Sequence, residues 1–202
     1  MKETEKYYES NLKDLPDVGG EKNGHAKAVY GGLFVFSLYP ALPDQPEISE
    51  LQDFVNHLFM GPFIRLGKIF NLNRNFDIRL IDLVFRLTAA KDQKVYEKYP
   101  ESFCNVYDGF DSKQKSTRYH FTKCPNAEFA KKHGMLHVLP LLCNCDYFGI
   151  SEIHGQLIRK GTCGFGDCCD YLIVGDENPL AEEYETAVNE YGAVVSHRME
   201  KE

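Results

Sequence analysis

The sequence predicts an α+β protein, with an N-terminal helical part packed on a C-terminal antiparallel sheet of β-β-α-β-β order. Three observations lead there. Apolar residues recur at helical spacing between Leu51 and Leu87. After Pro100 the texture changes to short aromatic and β-branched runs punctuated by Asp108-Gly109, Asp111-Ser112, Gly164 and Gly166. Proline and glycine then bracket helical stretches between the strand pairs, and helices followed by strands define this class.

Taken in order, residues 1–27 are polar, carry Gly19-Gly20 and Gly24, and read as a loose arm before a single α+β domain over 28–202. That domain divides into a helical part at 28–99 and a cysteine-rich part at 100–202. Ala28 to Leu38 is apolar but too short for a bilayer, which takes about 20 apolar residues, so it reads as a buried core segment. Pro40, Pro43 and Pro46 mark a turn-rich connection. A helix then starts at Ser49, with Gln52 completing a capping box and Leu51, Phe54, Val55, Leu58 and Phe59 on one face. Gly61-Pro62 breaks or kinks it. After Asn75, the run holding Leu80, Ile81, Leu83, Val84, Phe85 and Leu87 is apolar nearly all round and reads as a buried central helix.

In the second half, Phe103 to Tyr107 and Arg118 to Lys123 read as antiparallel strands. A short helix follows over Asn126 to His133, and a longer one from Val138 or Pro140 to about His154. Leu157 to Thr162 and Cys169 to Val174 form a hairpin, and Leu180, Tyr184, Val188 and Tyr191 have the spacing of a last amphipathic helix. The aromatics Tyr119, Phe121, Tyr147 and Phe148 belong to the core, a pocket wall or the face of a homo-oligomer.

Composition narrows the function. A net charge of −7 with scattered Lys and Arg argues against nucleic acid and against anionic membranes, leaving a small-molecule or protein partner. The first residues, Met1-Lys2-Glu3-Thr4-Glu5, lack the apolar core of an export signal, so a cytoplasmic, reducing setting is expected. The seven cysteines are then free thiols, and an odd count cannot pair completely within one chain.

Six of the seven fall between Cys124 and Cys169. Cys124 sits where a strand hands over to a helix through Pro125, near amides that lower a thiol pKa. Cys143 and Asp146 share a helical face, and Cys145 points away from Asp146. Cys169 and Asp170 open the last strand and face opposite sides of the sheet. Taken singly, each cysteine is better explained as a small apolar filler, and it is their clustering near Asp146 and Asp170 that argues against filler for all of them. His120, His137 and His154 are weak candidates, each better read as a surface or hydrogen-bonded residue. No cofactor motif is present. Cys143-x-Cys145 is too tight for a zinc knuckle, yet a divalent zinc or iron site drawn from Cys124, Cys143, Asp146 and Cys169 fits the ligand chemistry.

The string Phe121-Thr122-Lys123-Cys124-Pro125, the Leu142-Cys143 pair with Asp146, and Gly166-Asp167-Cys168-Cys169-Asp170-Tyr171 together resemble the L-2-amino-thiazoline-4-carboxylic acid hydrolase family. The resemblance implies a hydrolase that opens a small cyclic sulfur-nitrogen substrate to an N-carbamoyl cysteine. It points to Cys124, Cys143, Asp146, Cys169 and Asp170 as catalytic residues, and leaves Cys145, Cys163 and Cys168 accessory. Asp146 activating water, or a thiolate of Cys124 or Cys169 attacking directly, would serve that chemistry. The competing class is a sensory module that binds a small molecule or metal without turnover.

Overall fold

The computed structural model describes residues 2–20 and 23–200. The chain runs α1 (Lys2–Leu12), α2 (Ala26–Leu38), α3 (Ile48–Leu66), α4 (Asn75–Lys98), β1 (Cys104–Asp111), β2 (Ser116–Lys123) and α5 (Pro125–Lys132). It continues α6 (Pro140–Cys143), α7 (Cys145–Glu152), β3 (Gly155–Ile158), β4 (Cys169–Gly175), β5 (Tyr184–Val188) and β6 (Val194–Arg198). The α+β class and the β-β-α-β-β order of the main sheet are as the sequence predicts. The strands lie β1-β2-β4-β3, antiparallel throughout, and β5 and β6 form a separate hairpin.

The register places the site. Phe121 pairs with Cys169, Tyr119 with Tyr171, and Thr117 with Ile173. Because side chains alternate along a strand, these residues share the inner face of the sheet. The next residues along, His120 and Asp170, pair on the outer face. The inner face packs into the main core with Phe36 of α2, Val55 of α3, Phe129 of α5 and Ile150 of α7. α4 lies against β1 and β2, and α7 against α3 and β3.

Ala28 to Leu38 is the buried segment expected, now a helix whose Val29, Leu33 and Phe36 are all but inaccessible. Several local expectations are corrected. Lys2–Leu12 is helical rather than loose. α3 begins one residue before Ser49, and no side chain caps it; Gln52 turns inward to the carbonyl of Leu141 at 3.1 Å. The helix runs through Gly61-Pro62 to Leu66 without a break. α4 is not a buried central helix. It buries Ile78, Ile81 and Ala89 but exposes Phe76, Leu80, Leu83, Val84 and Leu87.

Strand β1 continues past Asp108-Gly109 through a bulge, where Gly109 takes a φ of 122°. The helix expected from about Val138 to His154 is split into α6 and α7 at Asn144. That side chain reaches Gln52 Oε1 (3.3 Å) and the Gly192 carbonyl (3.1 Å) and accepts the Val194 N–H (2.9 Å). The expected last helix is the β5–β6 hairpin. Among the described residues, no helix is long and apolar enough to cross a membrane.

Candidate functional site

A cavity of about 260 Å³ opens between the inner face of the sheet and the helices around it. The sheet contributes Tyr119, Phe121, Cys169 and Tyr171, and α3 covers it with Phe59 and Met60. Cys124, Cys143, Cys145 and Asp146 also line it, with Asn126 and His25. Four of the five residues singled out by the sequence, Cys124, Cys143, Asp146 and Cys169, therefore meet here. The fifth, Asp170, does not line the cavity. It points the other way and accepts the N–H groups of Gly161 (2.8 Å) and Lys160 (3.1 Å), fixing the loop between β3 and β4. Cys145, expected to be accessory, joins the lining.

Cys124 is the N-cap residue of α5, where a strand delivers it through Pro125. The amides of Asn126 and Ala127 do pull its pKa down, as the sequence suggests. Burial, reinforced by Cys169 and Cys143, outweighs them and holds the thiol well above its ordinary value. Burial likewise raises Cys143, although Arg159 opposes it, and pushes Cys145 up to about 12. Cys169 is raised by the thiol of Cys163 and by burial, and its sulfur accepts the Cys163 N–H at 3.1 Å. Cys163 thus buttresses the site from behind, while Cys168 stays outside the cavity. The cavity thiols are neutral at neutral pH.

Asp146 is different. Its Oδ2 accepts the Tyr171 hydroxyl at 2.6 Å and Nη1 of Arg159 at 3.1 Å. Its Oδ1 has no hydrogen-bond partner among the described residues, and 32% of the side-chain surface remains accessible on a residue that lines the cavity. Burial raises the carboxyl, and Arg159 and Tyr171 pull it back toward the ionised form. Arg159 itself is fully buried. Its Nη2 donates to the carbonyls of Cys143 (3.0 Å) and Val194 (3.3 Å), and its guanidinium lies 4.9 Å from the Tyr147 ring. The arrangement is a carboxylate held on one oxygen and offered on the other, inside a largely apolar chamber.

Among the described residues, no three His, Cys, Asp or Glu side chains converge as a metal site. Cys124, Cys143, Asp146 and Cys169 share a chamber without forming a ready ligand set. The weak histidine candidates stay apart from it: His120 pairs with Asp108 at 2.8 Å on the outer face, and neither His137 nor His154 lines the cavity. The sequence had not singled out Arg159 or His25. For Arg159 a signal existed, since an aspartate in an apolar helical stretch needs a counter-charge from elsewhere in the chain.

The sequence profile of L-2-amino-thiazoline-4-carboxylic acid hydrolases matches residues 50–173, more than half of the chain. The chain belongs to the L-2-amino-thiazoline-4-carboxylic acid hydrolase family. In this hydrolase family the matched span runs from α3 to β4, so it takes in Cys124, Cys143, Asp146, Arg159, Cys169 and Tyr171. It leaves out α1, α2 and the β5–β6 hairpin. No curated protein and no solved structure matches the chain.

Proposed function

We propose that the cavity opens a thiazoline ring of the L-2-amino-thiazoline-4-carboxylate class by hydrolysis, giving an N-carbamoyl cysteine. The observation that carries this reading is the free Oδ1 of Asp146 in a small, mostly apolar chamber. The substrate's reactive carbon is flanked by two nitrogens and a sulfur. Asp146 Oδ1 accepts an amidine N–H, which orients the ring in the chamber. Arg159 and Tyr171 hold the carboxylate in place and oppose the upward pull of burial on its pKa.

Water, rather than a thiolate, is the attacking group. The cavity thiols all keep their protons at neutral pH, so direct attack by Cys124 or Cys169 starts from the weak form of the nucleophile. As water adds, the C–O bond forms; on collapse the ring C–S bond breaks and the sulfur leaves to become the product thiol. Cys124, Cys143 and Cys169 line the same chamber.

The test is incubation of the purified protein with L-2-amino-thiazoline-4-carboxylate, with and without a chelator, following N-carbamoyl-cysteine by mass spectrometry. Product that survives the chelator is expected. Chelator-sensitive product would put a metal in the step and overturn the direct role of Asp146. No product would overturn the substrate class.

A further inference from the structure

We propose that His25, oriented by Asp92, is the proton carrier of this cavity, moving the protons of the attacking water to the amidine nitrogen and the departing sulfur. The inference rests on the ring-opening reading above. His25 lies outside the span matched by the family and directly precedes α2. It is the histidine among the cavity-lining residues, packed against Phe103 and Phe121 at ring distances of 5.1 and 6.3 Å.

The ring is held from several sides. Nε2 lies 2.8 Å from Asp92 Oδ2, and the Asp92 side chain is only 4% exposed. The same oxygen accepts the Asn105 amide at 2.9 Å. The backbone N–H of His25 donates to Asn23 Oδ1 at 2.9 Å. Asn23 in turn donates to the Val18 carbonyl and to Ser102 Oγ, each at 2.8 Å. Asn23 and Asp92 thus fix the residue in both position and ring orientation.

A carboxylate on Nε2 selects the tautomer with its proton there, leaving the lone pair on Nδ1. Nδ1 has no hydrogen-bond partner among the described residues, although the side chain keeps 27% of its surface accessible. An imidazole with one nitrogen on a buried carboxylate and the other free at a cavity wall is the arrangement general-base catalysis uses.

The proton balance closes without an external reactant. Nδ1 takes a proton from water as its oxygen bonds to the ring carbon and the C=N pair moves to nitrogen, and it returns the proton to that nitrogen. On collapse the remaining hydroxyl proton passes through Nδ1 to the ring sulfur, as C=O forms and C–S breaks. Both water protons end on the product, and the imidazole is unchanged.

The experiment compares wild type, His25→Gln, His25→Ala and Asp92→Asn for turnover of L-2-amino-thiazoline-4-carboxylate, with melting temperatures measured in parallel. His25→Gln should lose about 10²- to 10⁴-fold in kcat, the usual reach of a general base, with KM and melting temperature little changed. Added imidazole should restore part of the kcat of His25→Ala, which a merely structural role would not allow. Asp92→Asn should fall between. An active wild type with His25→Gln within about threefold of it, or no imidazole rescue, overturns the inference alone. If His25→Gln melts early, Asp92→Asn decides, and an unchanged kcat there overturns it. An inactive wild type overturns the ring-opening reading and the inference with it.

Discussion

Arg159 is wholly buried, and its charge answers mainly to the one carboxylate of Asp146. Removing either partner strands the other, because a buried charge without its counter-charge costs several kcal/mol. Arg159→Gln is therefore expected to lower stability by about 3–5 kcal/mol, read from urea unfolding, and to raise the Asp146 carboxyl further toward its protonated form. Unfolding within about 1 kcal/mol of wild type would show the pair to be solvated. The thiols call for the opposite expectation. Cys124→Ser and Cys169→Ser should each keep kcat within about tenfold, a barrier change of roughly 1.4 kcal/mol, because in the proposed reaction water attacks and neither sulfur bonds to the substrate. Complete loss with an intact fold would point instead to a covalent step.

At this scale the sequence marked four of the cavity groups. Cysteines and aspartates are few enough for their clustering to stand out. Arg159 and His25 escaped because their partners lie far away: Asp146 is 13 residues back, and Asp92 is 67 residues on. Spacing within one element reveals neither pairing.

At the level of elements, the end of α3 meets the end of α7 at Gly67, the residue that caps α3. A Cβ there would run into the backbone carbonyl of Glu152, and backbone cannot rotate aside. Gly67→Ala should destabilise by about 1–3 kcal/mol, the usual penalty of overpacking. Gly61, inside the same helix, faces open space. Gly61→Ala should stabilise by about 0.5–1 kcal/mol through helix propensity. Thermal melts of the two variants should move in opposite directions. A shared direction would contradict this account of where α3 is packed.

The same physics explains which elements could be read beforehand. β1, β2 and β4 carry aromatic and β-branched residues on one buried face, so composition and period agree. In β5–β6 they conflict. Leu180, Tyr184, Val188 and Tyr191 happen to fall at helical spacing, yet Val188 is 66% exposed and covers nothing. The overlooked signal was the turn: Asn189 accepts the N–H groups of Tyr191 and Ala193 (3.0 Å each), and Gly192 adopts a φ of 84°. α4 misleads in the other direction. Its apolar residues surround the helix, but the sheet it lies on covers one side, and burial on every side would need a second partner.

Across the whole molecule, gathering four thiols in one chamber, two buried and two half-buried, links stability to alkaline pH. Cys124, Cys143, Cys145 and Cys169 have folded-state pKa values above that of a free thiol, about 8.5. A group raised on folding stabilises fully below its unfolded pKa and loses that contribution as pH climbs toward the folded value. Stability should thus fall between about pH 8.5 and 12, by up to about 1.4 kcal/mol per pH unit for each thiol still protonated in the fold. Urea midpoints at pH 7.0, 8.5 and 9.5 check this, and midpoints that do not move would contradict thiol burial.

The fold brings the inner face of the sheet, the α3 cover and the α6–α7 joint around a single carboxylate. The proposed function turns on that convergence. The most direct test is the kcat of wild type and Asp146→Asn on saturating L-2-amino-thiazoline-4-carboxylate, with N-carbamoyl-cysteine as the readout. The account predicts steady turnover by the wild type and a loss of about 10²-fold or more in the folded variant, as removal of a charge aimed at the reacting group does. Equal rates in the two proteins would contradict it.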